Sequence, residues 1–207
     1  MEFQTVHLYV FNGMADWEPS FAIAGINNPR FQREPGRFRV ATVAMTPAHV
    51  TTMGGLRIQP DIALDDLIPT ASAMLILPGG ETWEQTAPPA VVNKIDDCLG
   101  TGVPVAAICA ATLPLARAGF LDNRLHTSNS ADFLRATGYR GYSLYRNIPA
   151  IADGGLITAA GIAPVEFAYQ IFGTLGLYES SVLDAWYALF KHGDASKYHA
   201  LAAAEEK

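Results

Sequence analysis

One cysteine stands where a nucleophile would be placed. Cys109 follows the apolar run Val103-Pro104-Val105-Ala106-Ala107-Ile108 and precedes Ala110-Ala111-Thr112. The run reads as a strand buried on both faces. The small residues after it let the backbone turn tightly into a helix. A thiol at that point lies at the carboxyl end of a strand, where open α/β sheets bind ligands. It also lies at a helix N-terminus, which favours the thiolate, the reactive form of cysteine. The same turn presents serine nucleophiles in other α/β enzymes. The competing reading is a small buried hydrophobe, the common fate of a free cysteine. Cys98, behind Asp96 and Asp97 in a helix, has no such setting and reads as structural.

Two further segments end strands with residues able to serve a thiol. Leu77-Pro78-Gly79-Gly80 closes an apolar run with paired glycines, whose N–H groups can approach a ligand and form an oxyanion hole. An ordinary Pro-Gly turn is the plainer alternative. Gly13-Met14-Ala15-Asp16-Trp17-Glu18-Pro19 follows the first strand. Glu18 there can accept a proton from a thiol or act as general base, or merely complement the helix N-terminus.

These segments need a frame of alternating strands and helices. Strands are expected at Val6–Phe11, Phe38–Ala44, Ala73–Leu77, Val103–Ile108, Leu125–Ser128, from Ile148 to Ile151, and at Leu156–Ala159. A hairpin is expected around Gly54-Gly55. Helices are expected at Trp17–Ile26, Ile62–Ile68, Pro89–Leu99, Ala110–Ala118, Asp132–Thr137, Pro164–Leu175 and Ser181–Lys191, with a frayed helical tail from Ala195. The order predicts an α/β fold: a doubly wound, mostly parallel sheet with helices on both faces, in a single domain. Residues 1–178 are expected to form that domain, and residues 179–207 a C-terminal helical extension packed on it.

Half of the 207 residues are hydrophobic, enough for a sizeable core. The net charge of −6 and the scatter of the 14 basic residues argue against nucleic acid and anionic membranes as partners. No apolar stretch is long enough to span a bilayer. Met1 to Gln4 carries no basic region, so no signal peptide is expected. Two cysteines make no disulfide framework, and a cytoplasmic location follows as the expectation. No zinc-type spacing and no phosphate loop is present, so neither metal nor cofactor is expected.

Gly13 through Glu18, Leu77-Pro78-Gly79-Gly80, Ala107-Ile108-Cys109-Ala110 and Asp153-Gly154-Gly155-Leu156-Ile157-Thr158-Ala159 together resemble the ThiJ/PfpI family. That family lies within the flavodoxin-like, class I glutamine amidotransferase-like superfamily. The resemblance covers roughly Val6 to Leu177. It implies that Cys109 is the reactive residue in a strained backbone geometry, hydrogen-bonded by Glu18. It also implies anion-hole donors at the Gly79-Gly80 turn and Ala110, and a homodimer or larger homo-oligomer.

Three departures from the family pattern narrow the chemistry. Protease-like members place His directly after the cysteine, where this chain has Ala110. Glutamine amidotransferases carry a His-Pro-Glu type segment, where this chain has Ala163-Pro164-Val165-Glu166 without histidine. Glu166 then reads as an early-helix acid. Other members carry a histidine near Ser128. Here His126 lies two positions earlier, on the same strand face, as a remaining base candidate or a satisfied core histidine. His7, His49, His192 and His199 have no motif context.

The leading expectation is a cofactor-independent enzyme. Cys109 adds to a small electrophilic carbonyl, amide or nitrile-like substrate, by glyoxalase/deglycase-type or hydrolase/hydratase chemistry. The alternative is a non-catalytic, redox-responsive stress protein sensing oxidants through Cys109. A transcription-factor sensor is disfavoured, because no DNA-binding segment is attached.

Overall fold

The computed structural model describes residues 3–202. In chain order the strands are β1 (Gln4–Tyr9), β2 (Phe38–Ala44), β3 (Val50–Thr51), β4 (Arg57–Ile58), β5 (Ile62–Ala63), β6 (Ser72–Leu77), β7 (Val105–Ile108), β8 (Ala150–Asp153) and β9 (Leu156–Ala159). The helices are α1 (Trp17–Asn27), α2 (Pro89–Gly100), α3 (Thr112–Arg117), α4 (Ala131–Arg135), α5 (Pro164–Leu175), α6 (Ser180–His192) and α7 (Lys197–Ala202). Seven strands form one sheet in the order β5-β2-β1-β6-β7-β9-β8. Every pairing is parallel except β8 with β9. β3 and β4 form a separate antiparallel hairpin.

Side chains alternate across the sheet, as the pleat requires. Met74, Ile76, Ala106 and Ile108 join a core with residues of α1, α5 and α6. Leu75, Leu77, Val105 and Ala107 join the opposite core with residues of α2 and α3. Burial on both faces explains why β6 and β7 read as unbroken apolar runs. The register sets Leu77 beside Ala107 and Ile108 beside Ala159. The turns after β6, β7 and β9 therefore emerge side by side.

Helix ends follow local chemistry. α5 begins with Pro164 in its first position and ends at Gly176, whose φ of 60° is the left-handed cap. α6 ends likewise at Gly193, φ 66°, with Lys191 and His192 in its last turn complementing the dipole. Leu183, Ala185 and Trp186 of α6 belong to the same core as Phe172 of α5. Trp186 packs edge-on against Phe172 at 5.0 Å between ring centres.

Three local expectations are corrected. Residues 62–68 do not form a helix. Thr42 and Asp61 exchange backbone and side-chain hydrogen bonds, which draws Ile62-Ala63 alongside β2 as an edge strand before one tight turn at Leu64–Asp66. Residues 125–128 make no strand ladder beyond one isolated parallel bridge, His126 to Tyr145. The Leu125 N–H donates to Asp153 Oδ2 and the Thr127 N–H to Thr158 Oγ1, so side chains take the bonds a neighbouring strand would have taken. The strand expected from Ile148 to Ile151 runs instead over Ala150–Asp153. The tail helix is present at Lys197–Ala202 after a turn at residues 195–196, and residues 203–207 of the expected tail lie outside the described residues.

The close approach of α1 to α5 depends on Gly25. A Cβ there would lie 2.3 Å from the ring tip of Phe172, itself fully buried. Gly25→Ala is expected to lower unfolding stability by about 1–3 kcal/mol despite alanine's better helix propensity. Urea unfolding checks this; an unchanged or raised midpoint would show that the ring can move aside.

Candidate active site

Cys109 sits directly after β7 with φ 59°, in the left-handed region. A side chain there costs about 1–3 kcal/mol and persists only when its surroundings hold it. They do. Thr112 Oγ1 donates to the Cys109 carbonyl at 2.6 Å. Its proton being spent, Thr112 accepts from the Ser128 hydroxyl at 2.7 Å. The polar pair Thr112 and Ser128, both buried, thus pins the elbow from beneath.

Glu18, second residue of α1, is 1% exposed. Its Oε2 accepts the Gly79 N–H. Its Oε1 is buried without a hydrogen-bond partner of good geometry and lies on the cysteine side. Burial pushes the carboxyl up to about 7, opposed by the Gly79 N–H and the Cys109 thiol. Burial likewise pushes the Cys109 thiol up to about 11. Asn129 opposes that rise, the Glu18 charge adds to it, and the Ala110 N–H at the sulfur lowers it slightly.

Two glycines allow this pair to sit so close. A Cβ on Gly79 would come within 2.6 Å of Glu18 Oε2 and 2.7 Å of Cys109 Cβ. A Cβ on Gly161 would lie 2.8 Å from Cys109 Sγ and 3.1 Å from Glu18 Oε1. Neither has a positive φ; the constraint is space.

The sulfur has a third polar neighbour that the sequence reading missed. Asn129 Nδ2 donates to Sγ at 3.3 Å, and Asn129 Oδ1 accepts the Gly161 N–H at 2.9 Å. Trp17 Nε1 in turn donates to the Gly161 carbonyl at 3.2 Å. The Gly161 peptide therefore orients Asn129 toward the sulfur. Two signals for these residues were present. Gly161 follows β9 much as Gly79 follows β6, and Asn129 lies three residues beyond His126. Asn129→Ala removes a donor worth about 1.5–3 kcal/mol to a thiolate, so the thiol should become harder to ionise by one to two pH units. The pH dependence of iodoacetamide alkylation at Cys109 measures this, and an unshifted profile would remove Asn129 from the site.

Other expected site residues are placed differently. His126 is fully buried and not brought to the cysteine. One ring nitrogen faces the Arg124 carbonyl at 2.8 Å, which can only accept, so Nδ1 carries the proton and Nε2 accepts from the Tyr139 hydroxyl at 2.9 Å. Burial lowers its pKa, consistent with a neutral, satisfied core histidine. The Gly79 N–H is committed to Glu18 and is not free for a substrate oxyanion. Gly80 is packed against the Gly13 carbonyl and the Phe11 ring, where a Cβ would come within 2.8 Å of both, but its N–H, unlike that of Gly79, has no acceptor among the described residues.

Cys109 opens into a cavity of about 660 Å³ walled by Trp17, Glu18, Asn129, Gly161, Ile162 and Pro164. Among the described residues, no three His, Cys, Asp or Glu side chains gather as a metal site. No helix among them is long and apolar enough to cross a membrane.

Fold and site together define a doubly wound α/β protein with an elbow cysteine and a buried carboxylate beside it. The DJ-1/PfpI family matches residues 4–173, and the chain belongs to that family, as its motifs led us to expect. A Bacillus subtilis (strain 168) protein named as an uncharacterized protease, YoaZ, is 41% identical over 194 residues, 92% of each chain. A second from that organism, the uncharacterized protease YdeA, is 30% identical over 78% of each chain. The solved structure of a thiJ/pfpI family protein from Bacillus anthracis superposes with a TM-score of 0.91 at 38% identity, covering 100% of this chain and 99% of that one. A DJ-1 superfamily protein from Agrobacterium tumefaciens gives 0.81 at 32% identity, over 92% of this chain and 99% of that one.

Proposed function

We propose that the protein is a cysteine-dependent enzyme acting on small electrophilic carbonyl, amide or nitrile-like substrates, with Cys109 as nucleophile and Glu18 as its proton acceptor. The observation that carries this is the pairing of half-buried Cys109 with buried Glu18, packed against Gly79 and Gly161 at the floor of a cavity. A carboxyl near 7 is poised to take and return a proton at neutral pH. In the forward step the thiol proton passes to the Glu18 carboxylate as sulfur bonds to the electrophilic carbon. The carbon's π electrons move to its oxygen or nitrogen. Glu18 then returns the proton to that atom. Asn129 steadies the developing thiolate before the bond forms, and the Gly80 and Ala110 N–H groups are the candidate donors to the oxyanion.

Peptidase chemistry fits less well, although relatives bear protease names. Asn129 at the sulfur cannot act as a base, and Ala110 follows the cysteine. The redox-sensing alternative asks for a thiolate at rest. A thiol held near 11 favours the enzyme reading, in which the thiolate arises only as Glu18 takes the proton. Assembly as a homodimer is part of the same proposal. Light scattering of the purified protein reads it directly, a monomer mass being the contrary result. The deciding experiment is turnover of methylglyoxal and a panel of small amides and nitriles by the wild type and Cys109→Ser. Activity with none of them, or equal rates for both proteins, would overturn the proposal.

A further inference from the structure

A second cavity of about 300 Å³ adjoins the Cys109 cavity. The two share Asn129, Ala160 and Ile162 as walls. The second cavity is also lined by Ser128, Asn147 and Lys191. Lys191 comes from α6, beyond the segment that the family matches. The C-terminal extension therefore places a cation beside a site that the family core builds.

Lys191 keeps donors free to hold an anion. Its Nζ donates to Glu166 Oε1 at 2.7 Å, and its side chain remains 37% exposed. An ammonium has three protons, so two remain for the cavity. Glu166 is 6% exposed, also accepts from the Tyr187 hydroxyl at 3.3 Å, and lies in the first turn of the twelve-residue α5. The positive end of that helix offsets part of the Glu166 charge. The negative end of α6, in whose last turn Lys191 lies, cancels the positive end of α5, so the group is close to neutral and an anion would be held by the two remaining Nζ–H donors rather than by net charge. The bond to Glu166 also raises the Lys191 pKa, keeping it protonated. Ser128 is committed to Thr112. The exposed Asn147 amide makes no hydrogen bond among the described residues.

We propose that this second cavity is a subsite for the carboxylate of a two-ended substrate whose electrophilic carbon reaches Cys109, with Lys191 as the specificity-determining residue. This rests on the reading of Cys109 as nucleophile and narrows the substrate class to small carbonyl, amide or nitrile-like compounds carrying a carboxylate. Lys191 binds the tail of the substrate and takes no part in the bond that forms at sulfur.

Alkylation of Cys109 tests this without knowledge of the substrate. The probes are iodoacetamides bearing one to three methylenes and a terminal carboxylate, each paired with its uncharged carboxamide analogue. Rates are read by intact mass and peptide mapping on the full-length protein. In the wild type, the best-fitting carboxylate probe should outpace its neutral partner by roughly tenfold, the scale of one charge-assisted hydrogen bond. Lys191→Met should bring that ratio to about one, and Lys191→Arg should largely restore it. Asn147→Asp, at an exposed position that leaves the Lys191–Glu166 pair intact, should cut the ratio at least roughly threefold through like-charge repulsion. It decides the matter even if Lys191→Met fails to fold. A wild-type ratio near or below one at every arm length overturns the subsite, as does a ratio that neither substitution moves. If the neutral probes label Cys109 no faster than the buried Cys98, the nucleophile reading itself fails, and the subsite falls with it.

Discussion

Cys109→Ser is expected to cut turnover of small carbonyl or amide substrates by roughly a thousandfold or more, with the fold intact. An oxygen in place of sulfur fits the same turn, and the Thr112 bond to the Cys109 carbonyl does not involve the side chain. The loss is chemical. A carboxyl near 7 can accept a proton from a thiol near 11 as the new bond forms, whereas a serine hydroxyl lies far beyond its reach. Matched circular-dichroism melting curves show that structure is retained, and initial rates on the substrate panel show the deficit. Peroxide titration with intact-mass analysis separates the redox alternative. A Cys109 that stops cleanly at one oxidised state at low peroxide, in a protein without turnover, would favour sensing over catalysis.

Glu18→Gln should separate activity from stability. Turnover should fall by about 10²–10⁴, the usual worth of a positioned acid–base group. The acidic limb of the rate profile, expected near pH 7 from the Glu18 carboxyl, should disappear. Stability should move the other way. Glu18 binds its proton more tightly in the folded protein, about 7, than in the unfolded chain, where 4.5 applies. The stability this confers is complete below about pH 4.5 and is lost as pH rises through 7. Glutamine does not titrate. Relative to the variant, the wild type should therefore lose about 3 kcal/mol between pH 4.5 and pH 8. Urea unfolding at both pH values measures this. An equal gap between the two proteins at pH 4.5 and pH 8 would mean that the carboxyl is not perturbed by burial.

Much of this arrangement was legible in the sequence, for reasons that particular residues make clear. Ser72–Leu77 and Val105–Ile108 are covered on both faces, so their apolar runs needed no context to read as central strands. The elbow was readable because Cys109 follows such a strand and small residues follow Cys109. Segments ruled by side-chain hydrogen bonds were not readable. Asp153 and Thr158 capture the backbone at Leu125 and Thr127 from about thirty positions away, and no local pattern announces this. The same holds for the sulfur's neighbours. His126 was the conspicuous residue of its segment, yet Tyr139 and the Arg124 carbonyl consume both its nitrogens. Asn129, an unremarkable amide by type, is turned to the sulfur by the Gly161 peptide. Gly79 was expected to serve a substrate oxygen and instead serves Glu18, because burying that carboxylate needs a donor first.

Trp17 has a consequence of an optical kind. Its indole is 51% exposed at the cavity mouth and bonded to the peptide that orients Asn129. The chain's other two tryptophans, Trp83 and Trp186, are 2% and 5% exposed. A collisional quencher in solution therefore meets Trp17 almost alone. Any compound lodged above Cys109 shields that ring, so the intrinsic fluorescence of the protein is a built-in gauge of cavity occupancy, needing neither label nor turnover.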